Sequence, residues 1–265
     1  MAIFSAIRWG ACGLVKASLC LAIALACGRS AWGDEASLQI LYRLNPPLIV
    51  KQDGRPSGFV YEFMKYVLVD KLKLAKTSDE FTEVPLARGL HSVEFNKTTL
   101  FFNIISSPER DQKFKLIKIP GIFEKTYLYG RRESNLQFNK IEDVVNYNIG
   151  FVNGSSSLQF MKKNLGDSLI YEITLNHESN LKKLLSGRVD LIAAPKYSVD
   201  YISGDEVIKN KIAKVMFLEK NNFYVVVNKD FDEGIFSKIE QAIIEASTDP
   251  FYSDLLMKYK DDIQY

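Results

Sequence analysis

The segment from Ser106 to Arg110 combines residue types that can hold an anion. The apolar run 100–105 before it predicts a buried strand, and Pro108 is suited to the first turn of a helix. Hydroxyls and backbone N–H groups at such a position can bind an anion, and a guanidinium binds a carboxylate through two parallel hydrogen bonds. The alternative is a helix cap with Arg110 paired to a neighbouring acid at the surface.

A second serine-rich turn lies at residues 154–157, again shortly after a predicted strand, 148–152. Its glycine and three hydroxyls form a second candidate anion site, in which Ser155 and Ser156 are the candidate ligands. An ordinary helix N-cap is the alternative. Arg88, three residues after a proline, either reaches the same cleft or lies along its own helix.

The chain offers few groups for catalysis. It has two histidines, His91 and His177, and neither has a second metal ligand four residues away or a nucleophile motif nearby. We expect both at the surface or at a helix end. The sequence contains no phosphate-binding glycine loop, dinucleotide fingerprint or G-x-S-x-G motif. We therefore expect no catalytic residue, no metal and no cofactor, and a protein that is not an enzyme.

The elements that must position these residues begin with a strand at 38–42. A loop with two prolines follows, then a tight turn at Asp53-Gly54, and then a helix. One face of that helix is predicted to be buried, because five apolar residues recur at helical spacing: Val60, Phe63, Met64, Val67 and Leu68. The loop between strand and helix is expected at the rim of a cleft.

Strand and helix patterns alternate along the rest of the chain. Strands are predicted at 81–84, 100–105, 122–129, 148–152, 189–194 and 223–227, and helices at 141–144, 158–165, 181–185, 235–246 and 251–259. A further helix is predicted after Pro85. This alternation predicts an α/β fold with a mostly parallel sheet, in which ligands bind at the carboxyl ends of the strands.

The first 33 residues have the features of a secretory signal peptide. Basic residues precede the largely apolar run 17–28, and small residues precede a cleavage site after Gly33. If Lys16 is allowed inside the apolar run, an uncleaved membrane anchor becomes an alternative. Lipid attachment at Cys27 is another. Cleavage would give a periplasmic or secreted protein.

The composition of the mature chain excludes several classes of function. All three cysteines lie in the predicted leader, so the mature protein needs no disulfide. Without the leader, 31 basic residues face 32 acidic ones, a net charge of −1 with both signs interspersed. We therefore expect no nucleic-acid partner and no polybasic membrane contact. About 230 residues remain, enough for two lobes with separate cores.

Four features of the sequence, in this order, resemble the bacterial extracellular solute-binding proteins of family 3. They are Pro46-Pro47-Leu48 with Gly54 and Gly58-Phe59, Ser106-Ser107-Pro108-Glu109-Arg110, Gly154-Ser155, and Gly187-Arg188-Val189-Asp190. The resemblance covers about Leu38 to Tyr259. It implies the type 2 periplasmic-binding-protein fold, with two lobes that each contain a mostly parallel sheet flanked by helices and are joined by two hinge crossings.

The resemblance also implies roles for individual residues. Arg110 inherits the arginine that holds the carboxylate of the ligand, with Ser106 at the start of the same motif. Asn103 falls near the backbone positions that contact the ligand, and Ser155 and Ser156 fall near the contacts of the second lobe. A sixth residue, Asn45, stands where many members place an aromatic ring over the ligand.

Two further expectations concern the walls and the charge of the cleft. Tyr42 and Tyr127 are candidates for an apolar wall, with a place in the core as the alternative. By resemblance, an acidic residue that binds the ligand ammonium should follow the strand 191–194, but this chain has Pro195-Lys196 there. A basic side chain would repel an ammonium group. The sequence therefore predicts an acid or another anion as the ligand.

We expect a monomeric periplasmic protein with a signal peptide at 1–33, lobe one at 34–128 plus 223–265, and lobe two at 129–222. It would close on a small polar ligand, anionic or carboxylate-bearing, and deliver it to an ABC permease. One alternative is a sensory or partner-binding protein of the same fold that acts through a membrane sensor. The other is a lyase-like or dehydratase-like enzyme on that fold.

Overall fold

The structure, a computed structural model, describes residues 38–204, 206–261 and 263. The predicted signal peptide, with its alternatives of an anchor or a lipid at Cys27, lies outside the described residues. Within them, no helix has the length and apolar character that crossing a membrane requires.

The first part of the chain alternates strands and helices. Its elements are β1 (Gln39–Tyr42), β2 (Val50–Gln52), β3 (Arg55–Ser57), α1 (Phe59–Lys65), β4 (Thr82–Glu83), α2 (Leu86–Phe95), β5 (Thr99–Ile105), α3 (Pro108–Lys113) and β6 (Phe114–Arg131). A π-helix, Tyr66–Lys71, extends α1, and a 3-10 helix, Ser78–Glu80, precedes β4.

The pattern then repeats. The remaining elements are β7 (Ile149–Val152), α4 (Ser156–Leu165), β8 (Tyr171–Thr174), α5 (His177–Leu185), β9 (Leu191–Pro195), α6 (Lys196–Ser203), α7 (Glu206–Lys209), β10 (Ile212–Asn228), α8 (Glu233–Ala246) and α9 (Pro250–Lys258). Short 3-10 helices lie at Arg132–Ser134, Ile141–Val144 and Gly166–Ser168.

Eight strands form one sheet in the order β4-β1-β5-β10-β6-β9-β7-β8, and β2 pairs with β3 in a separate hairpin. Pairing is parallel within β4-β1-β5 and within β9-β7-β8. It is antiparallel where β5, β10, β6 and β9 meet. Helices connect the parallel strands, as parallel pairing requires. The predicted α/β fold with a mostly parallel sheet is confirmed.

The strands β6 and β10 are much longer than the sequence predicts. They have 18 and 17 residues, and they pair from Arg131 opposite Ile212 to Phe114 opposite Asn228. Pro120 and Lys220 are among the residues that lengthen them. Proline and polar residues in a row are typical of a loop, but a two-stranded ribbon can carry such residues on an exposed side.

The core of the first part of the chain lies on both faces of the sheet. In β5, Leu100 and Phe102 belong to one apolar cluster, whereas Phe101 and Ile104 belong to another. Residues 100–102 alternate between the clusters as side chains do along a strand, and the register shift at residue 103 places Ile104 on the same side as Phe101. The predicted buried face of the helix is confirmed, since each of its five residues is 0% exposed: Val60, Phe63, Met64, Val67 and Leu68.

The second part of the chain has a separate pair of clusters. Leu128 and Phe151 belong to one, and Tyr129 and Ile192 belong to the other. Each group of parallel strands therefore has apolar packing of its own on both faces. The boundaries of the two lobes, 34–128 plus 223–265 and 129–222, remain a prediction.

Candidate functional site

A small cavity lies where the ends of several strands meet. Its volume is about 30 Å³, which is room for about two water molecules. We call it the central cavity. It is lined by Arg43, Leu86, Ile105, Arg110, Glu124, Thr126, Val152, Ser155, Ser156, Ser157, His177 and Pro195.

Arg110 projects into this cavity from the first turn of α3. Ser107 caps that helix by accepting a hydrogen bond from the backbone N–H of Arg110 at 3.3 Å, and Pro108 begins it. The Arg110 side chain is 2% exposed. Its guanidinium donates to the carbonyl oxygens of Ile105 and Gly154. Its Nε–H also lacks a hydrogen-bond partner among the described residues, so the guanidinium keeps unused donors.

Arg43 is a second arginine at the same cavity, and the sequence analysis missed it. It directly follows β1, and its Nε donates to the carbonyl oxygen of Asn103 at 3.3 Å. Asn103 has a φ of 68°, which an asparagine tolerates better than most residues, and lies where the pairing of β5 with β10 shifts register. Asn103 thus contributes its backbone to the site by orienting Arg43.

The Asn103 side chain is fully buried, and both of its polar atoms lack a partner among the described residues. An unpaired buried amide costs about 1–3 kcal/mol. Strained, unsatisfied residues of this kind cluster at binding sites.

Glu124 is the acidic residue of the central cavity, and it was also missed. It lies on β6, is 5% exposed, and accepts hydrogen bonds from the Tyr197 hydroxyl at 2.6 Å and the Thr126 hydroxyl at 3.1 Å. Asn45 in turn donates to the Tyr197 oxygen at 3.1 Å. This network fixes the Glu124 carboxylate between elements that are distant in the sequence.

Charge is unevenly balanced in the central cavity. Burial, together with the nearby guanidinium of Arg43, lowers the pKa of Arg110 to about 10. Burial also lowers the pKa of Arg43, although Tyr197 and Glu124 oppose that shift. Burial raises the pKa of Glu124, whereas its bond from Tyr197 lowers it. At neutral pH both arginines remain protonated, so two cations face at most one anion.

The serine-rich turn supplies the opposite wall. Ser155 caps α4 by accepting a hydrogen bond from the N–H of Leu158 at 3.3 Å, and it also lines the cavity. Ser156 lines the cavity and donates to Glu219 at 3.2 Å. The sequence offered a cap and a ligand site as alternatives; Ser155 is the cap of α4, and its place in the cavity lining leaves the ligand role a prediction.

Several polar contacts among the described residues cross the cleft. The guanidinium of Arg110 donates to the Gly154 carbonyl. Three more bonds join the two sides: Gln159 donates to the Glu109 carboxylate at 2.6 Å, Ser198 to the backbone carbonyl of Pro46 at 3.1 Å, and Asn45 to the Tyr197 hydroxyl at 3.1 Å. The two walls are thus in contact with each other around the central cavity.

A larger cavity of about 360 Å³ adjoins the central one. We call it the side chamber. It is lined by Arg43, Leu44, Asn45, Pro46, Glu83, Val84, Pro85, Leu86, Val152, Leu175, Asn176, His177, Glu178, Ser198 and Ile202. His177, the first residue of α5, lines both cavities. It lies at a helix end, as expected, but in the cleft, where burial and Arg43 lower its pKa to about 3.

Several predicted ligands lie outside the central cavity. Asn45 lines the side chamber, and Ser106 lines a third cavity, where its hydroxyl donates to Asp111. Arg88 is exposed on α2, and the lining of neither cavity includes it. Its predicted approach to the cleft is therefore not seen.

The two tyrosines proposed as walls do not line either cavity. Tyr42 is buried in the core and stacks on Phe102, with the ring centroids 6.1 Å apart. Tyr127 packs edge-on against Phe217, with Lys214 4.8 Å from its ring centroid. Both therefore follow the alternative in which the aromatic residue has a packing role.

Contrary to the sequence prediction, Lys196 does not repel cations from the cleft. Its ammonium pairs with Asp200 one turn along α6, and it lines neither the central cavity nor the side chamber. It lies instead in a separate depression with Pro47 and Tyr201. The cationic side chains that line the central cavity are instead Arg43 and Arg110.

Solved structures similar to this chain belong to binding and sensor proteins. An ancestral arginine-binding protein bound to arginine matches with a TM-score of 0.69 and 18% identity, covering 84% of this chain and 98% of its own. The arginine-, lysine-, histidine-binding protein ArtJ from Geobacillus stearothermophilus matches with a TM-score of 0.70 and 14% identity, covering 85% and 96%.

A third similar structure is a histidine kinase sensor domain described as similar to periplasmic binding proteins, with a TM-score of 0.68, 14% identity, and coverage of 83% and 95%. No protein-family model matches the sequence, and a sequence search of curated proteins finds no match. The structural similarity spans most of both chains in each comparison. This chain has the two-lobed fold of the periplasmic binding proteins.

Proposed function

We propose that this protein is a periplasmic solute-binding protein that closes on a small, carboxylate-bearing ligand and delivers it to an ABC importer. The observation that carries the proposal is the pair of buried guanidiniums, Arg43 and Arg110, beside a single carboxylate, Glu124, in the lining of the central cavity. An anion would relieve the repulsion between the two arginines.

The ligand carboxylate would accept hydrogen bonds from both arginines. Arg110 is pre-positioned by its helix cap and its bond to Ile105, and Arg43 by its bond to Asn103. A guanidinium that is held in place loses little conformational entropy on binding. From the opposite wall, Ser155 and Ser156 would cap the bound group.

The ligand must enter through an opened cleft. A cavity of about 30 Å³ is too small for an amino acid. Opening would break the bond of Arg110 to Gly154 and the three other contacts across the cleft. On binding, the Arg110 donor now used by the Gly154 carbonyl becomes available to the ligand. Opening and closing of this kind is hinge motion about the two long strands.

Arginine itself is a poor candidate as the ligand. Two of the similar solved proteins bind arginine, whose guanidinium needs acidic partners. Here the central cavity has two cationic side chains and one acid, Glu124, that already accepts two hydrogen bonds. We therefore expect this chain to differ from those proteins in the ligand that it binds.

A thermal-shift screen of the purified protein tests the proposal. The panel contains glutamate, succinate, hexanoate, arginine, glucose and spermidine. Because a ligand that binds only the folded state raises the melting temperature, we expect a shift of several degrees with at least one carboxylate and none with glucose or spermidine. A shift with spermidine or glucose alone would contradict the proposal.

A sensory role is the second candidate, since a histidine kinase sensor domain has the same fold with a TM-score of 0.68. The two roles share the binding step and differ in the membrane partner. Affinity purification from native membranes distinguishes them. A permease with its ATPase supports transport, whereas a receptor with a kinase domain supports sensing.

A further inference from the structure

The side chamber differs in chemistry from the central cavity that it adjoins. The two share Arg43, Leu86, Val152 and His177, so a ligand held at the arginines borders directly on the chamber. At about 360 Å³, the chamber falls within the range of small-molecule sites, roughly 300–1,000 Å³. It is therefore large enough to hold a part of the ligand that the central cavity cannot.

Apolar side chains line much of the chamber, and they come from both walls of the cleft. One wall contributes Leu44, Val84 and Leu86, and the other contributes Val152, Leu175 and Ile202. Leu175 is 78% exposed, so most of its apolar surface is in contact with solvent. An apolar group bound between the two walls would cover it and would gain free energy from the area removed from water.

The acids of the chamber already have cationic partners. Glu83 is exposed and pairs with Lys51 at 2.7 Å, and Glu178 is exposed and pairs with Lys182 at 2.6 Å. Both carboxylates are therefore partly neutralised, and Arg43 in the same lining would repel a cationic ligand group. The chamber is thus poorly suited to a guanidinium or an ammonium.

Two residues of the chamber lining each carry an unpartnered polar atom. Nδ1 of His177 and Oδ1 of Asn45 are buried without a hydrogen-bond partner among the residues that the structure describes. Both residues line the chamber. With its lowered pKa, the His177 ring is neutral and adds no charge to the chamber beyond that of Arg43. These atoms can fix the orientation of one polar group on the ligand.

We propose that the side chamber receives the nonpolar body of an amphipathic carboxylate whose acid group is bound by Arg43 and Arg110. This inference rests on the proposed solute-binding function and narrows it to acids with an aliphatic or aryl body. Small, fully polar acids such as succinate would leave the chamber empty and would bind more weakly.

A chain-length series tests the inference. The purified full chain is titrated by calorimetry with butanoate, hexanoate and octanoate, and with succinate and glutamate. Each buried methylene is expected to raise the affinity about fourfold. Succinate and glutamate should bind less tightly than hexanoate.

Two variants localise the effect. Leu175→Asp places a charge at the chamber, on a side chain exposed enough that folding should be unaffected, and should remove most of the dependence on chain length. Ile173→Asp is the matched control, because Ile173 is exposed on β8 and lines neither cavity. It should leave that dependence unchanged.

The outcomes separate this inference from the function on which it rests. Affinity that rises with chain length in the unmodified protein and is flat in Leu175→Asp supports the inference. Equal affinities along the series, or tighter binding of succinate or glutamate, would overturn it and leave the solute-binding proposal intact. Binding of no carboxylate at all would overturn both.

Discussion

The two walls of the central cavity differ in charge. Arg43 and Arg110 lie on the wall built around β1 and β5, whereas the wall built around β7 contributes serine hydroxyls and a neutral His177. In the proposed function, the negative charge of the ligand would therefore pair with cations of one wall only. Closing the other wall adds hydrogen-bonding groups without bringing like charges together, so the charged wall can bind the ligand before closure.

The two serine-rich turns repeat this difference on a smaller scale. In the first, Ser107 caps α3 and Ser106 bonds to Asp111, so both hydroxyls are used locally and only Arg110 reaches the cavity. In the second, Ser155 and Ser156 line the cavity themselves. Similar sequences thus provide a cation on one wall and hydroxyls on the other.

Removing the arginine of the charged wall should have the largest effect. We expect Arg110→Ala to weaken binding of the tightest carboxylate by about 100-fold, because a buried, charge-assisted partner is lost. Calorimetry measures the change. Arg88→Ala is the matched control and should bind normally, since Arg88 is exposed and outside both linings. Equal losses in the two variants would contradict the assignment of Arg110.

Neutralising Glu124 should change the affinities for two kinds of ligand in opposite directions. We expect Glu124→Gln to raise the affinity for a simple carboxylate about tenfold, since a nearby negative charge is removed. The same change should weaken a ligand that carries an ammonium group. Titrations of hexanoate and glutamate measure both effects, with Glu240→Gln on the exposed side of α8 as control. Unchanged affinity for both ligands would place Glu124 outside the site.

Removing a hydroxyl from the uncharged wall should have a smaller effect. Ser156→Ala is expected to weaken binding about fivefold, the worth of one neutral hydrogen bond of about 1 kcal/mol. Ser155→Ala should in addition lower the free energy of unfolding by about 1 kcal/mol, because Ser155 caps α4. Calorimetry and urea unfolding measure the two quantities. A loss as large as that of Arg110→Ala would break the comparison between the walls.

The neutral state of His177 should show in the pH dependence of stability. Its pKa is about 3 in the folded protein and about 6.5 when unfolded. Between these values the unfolded chain binds more protons, so stability is full above pH 6.5 and falls as the pH is lowered toward 3, by up to about 1.4 kcal/mol per pH unit. Urea unfolding at pH 7 and pH 4 should show a smaller loss for His177→Gln. An equal loss would mean that His177 titrates normally.

Part of the site could be predicted from the sequence because its residues stand beside local signals. Arg110 follows a buried strand and a helix-starting proline, and Ser155 follows a strand and a glycine. Both line the cavity. The buried face of α1 and the parallel strands were likewise predictable from periodicity, which is a local property.

The rest depends on contacts between distant parts of the chain. Glu124 is held by Tyr197, which is 73 residues away, and Arg43 is oriented by Asn103, which is 60 residues away. No local pattern encodes either pairing. The full length of β6 and β10 was missed for a related reason, since each strand is stabilised by its partner and the polar parts of the sequence alone are typical of a loop.

The most direct test of the account is a crystal structure of the protein with the tightest-binding carboxylate of the panel. If both arginines bind the ligand, its carboxylate should lie within about 2.7–3.2 Å of guanidinium nitrogens of Arg43 and Arg110. The hydroxyl of Ser155 or Ser156 should contact it from the opposite wall. A ligand bound elsewhere, with Arg110 still donating to the Gly154 carbonyl, would contradict the account.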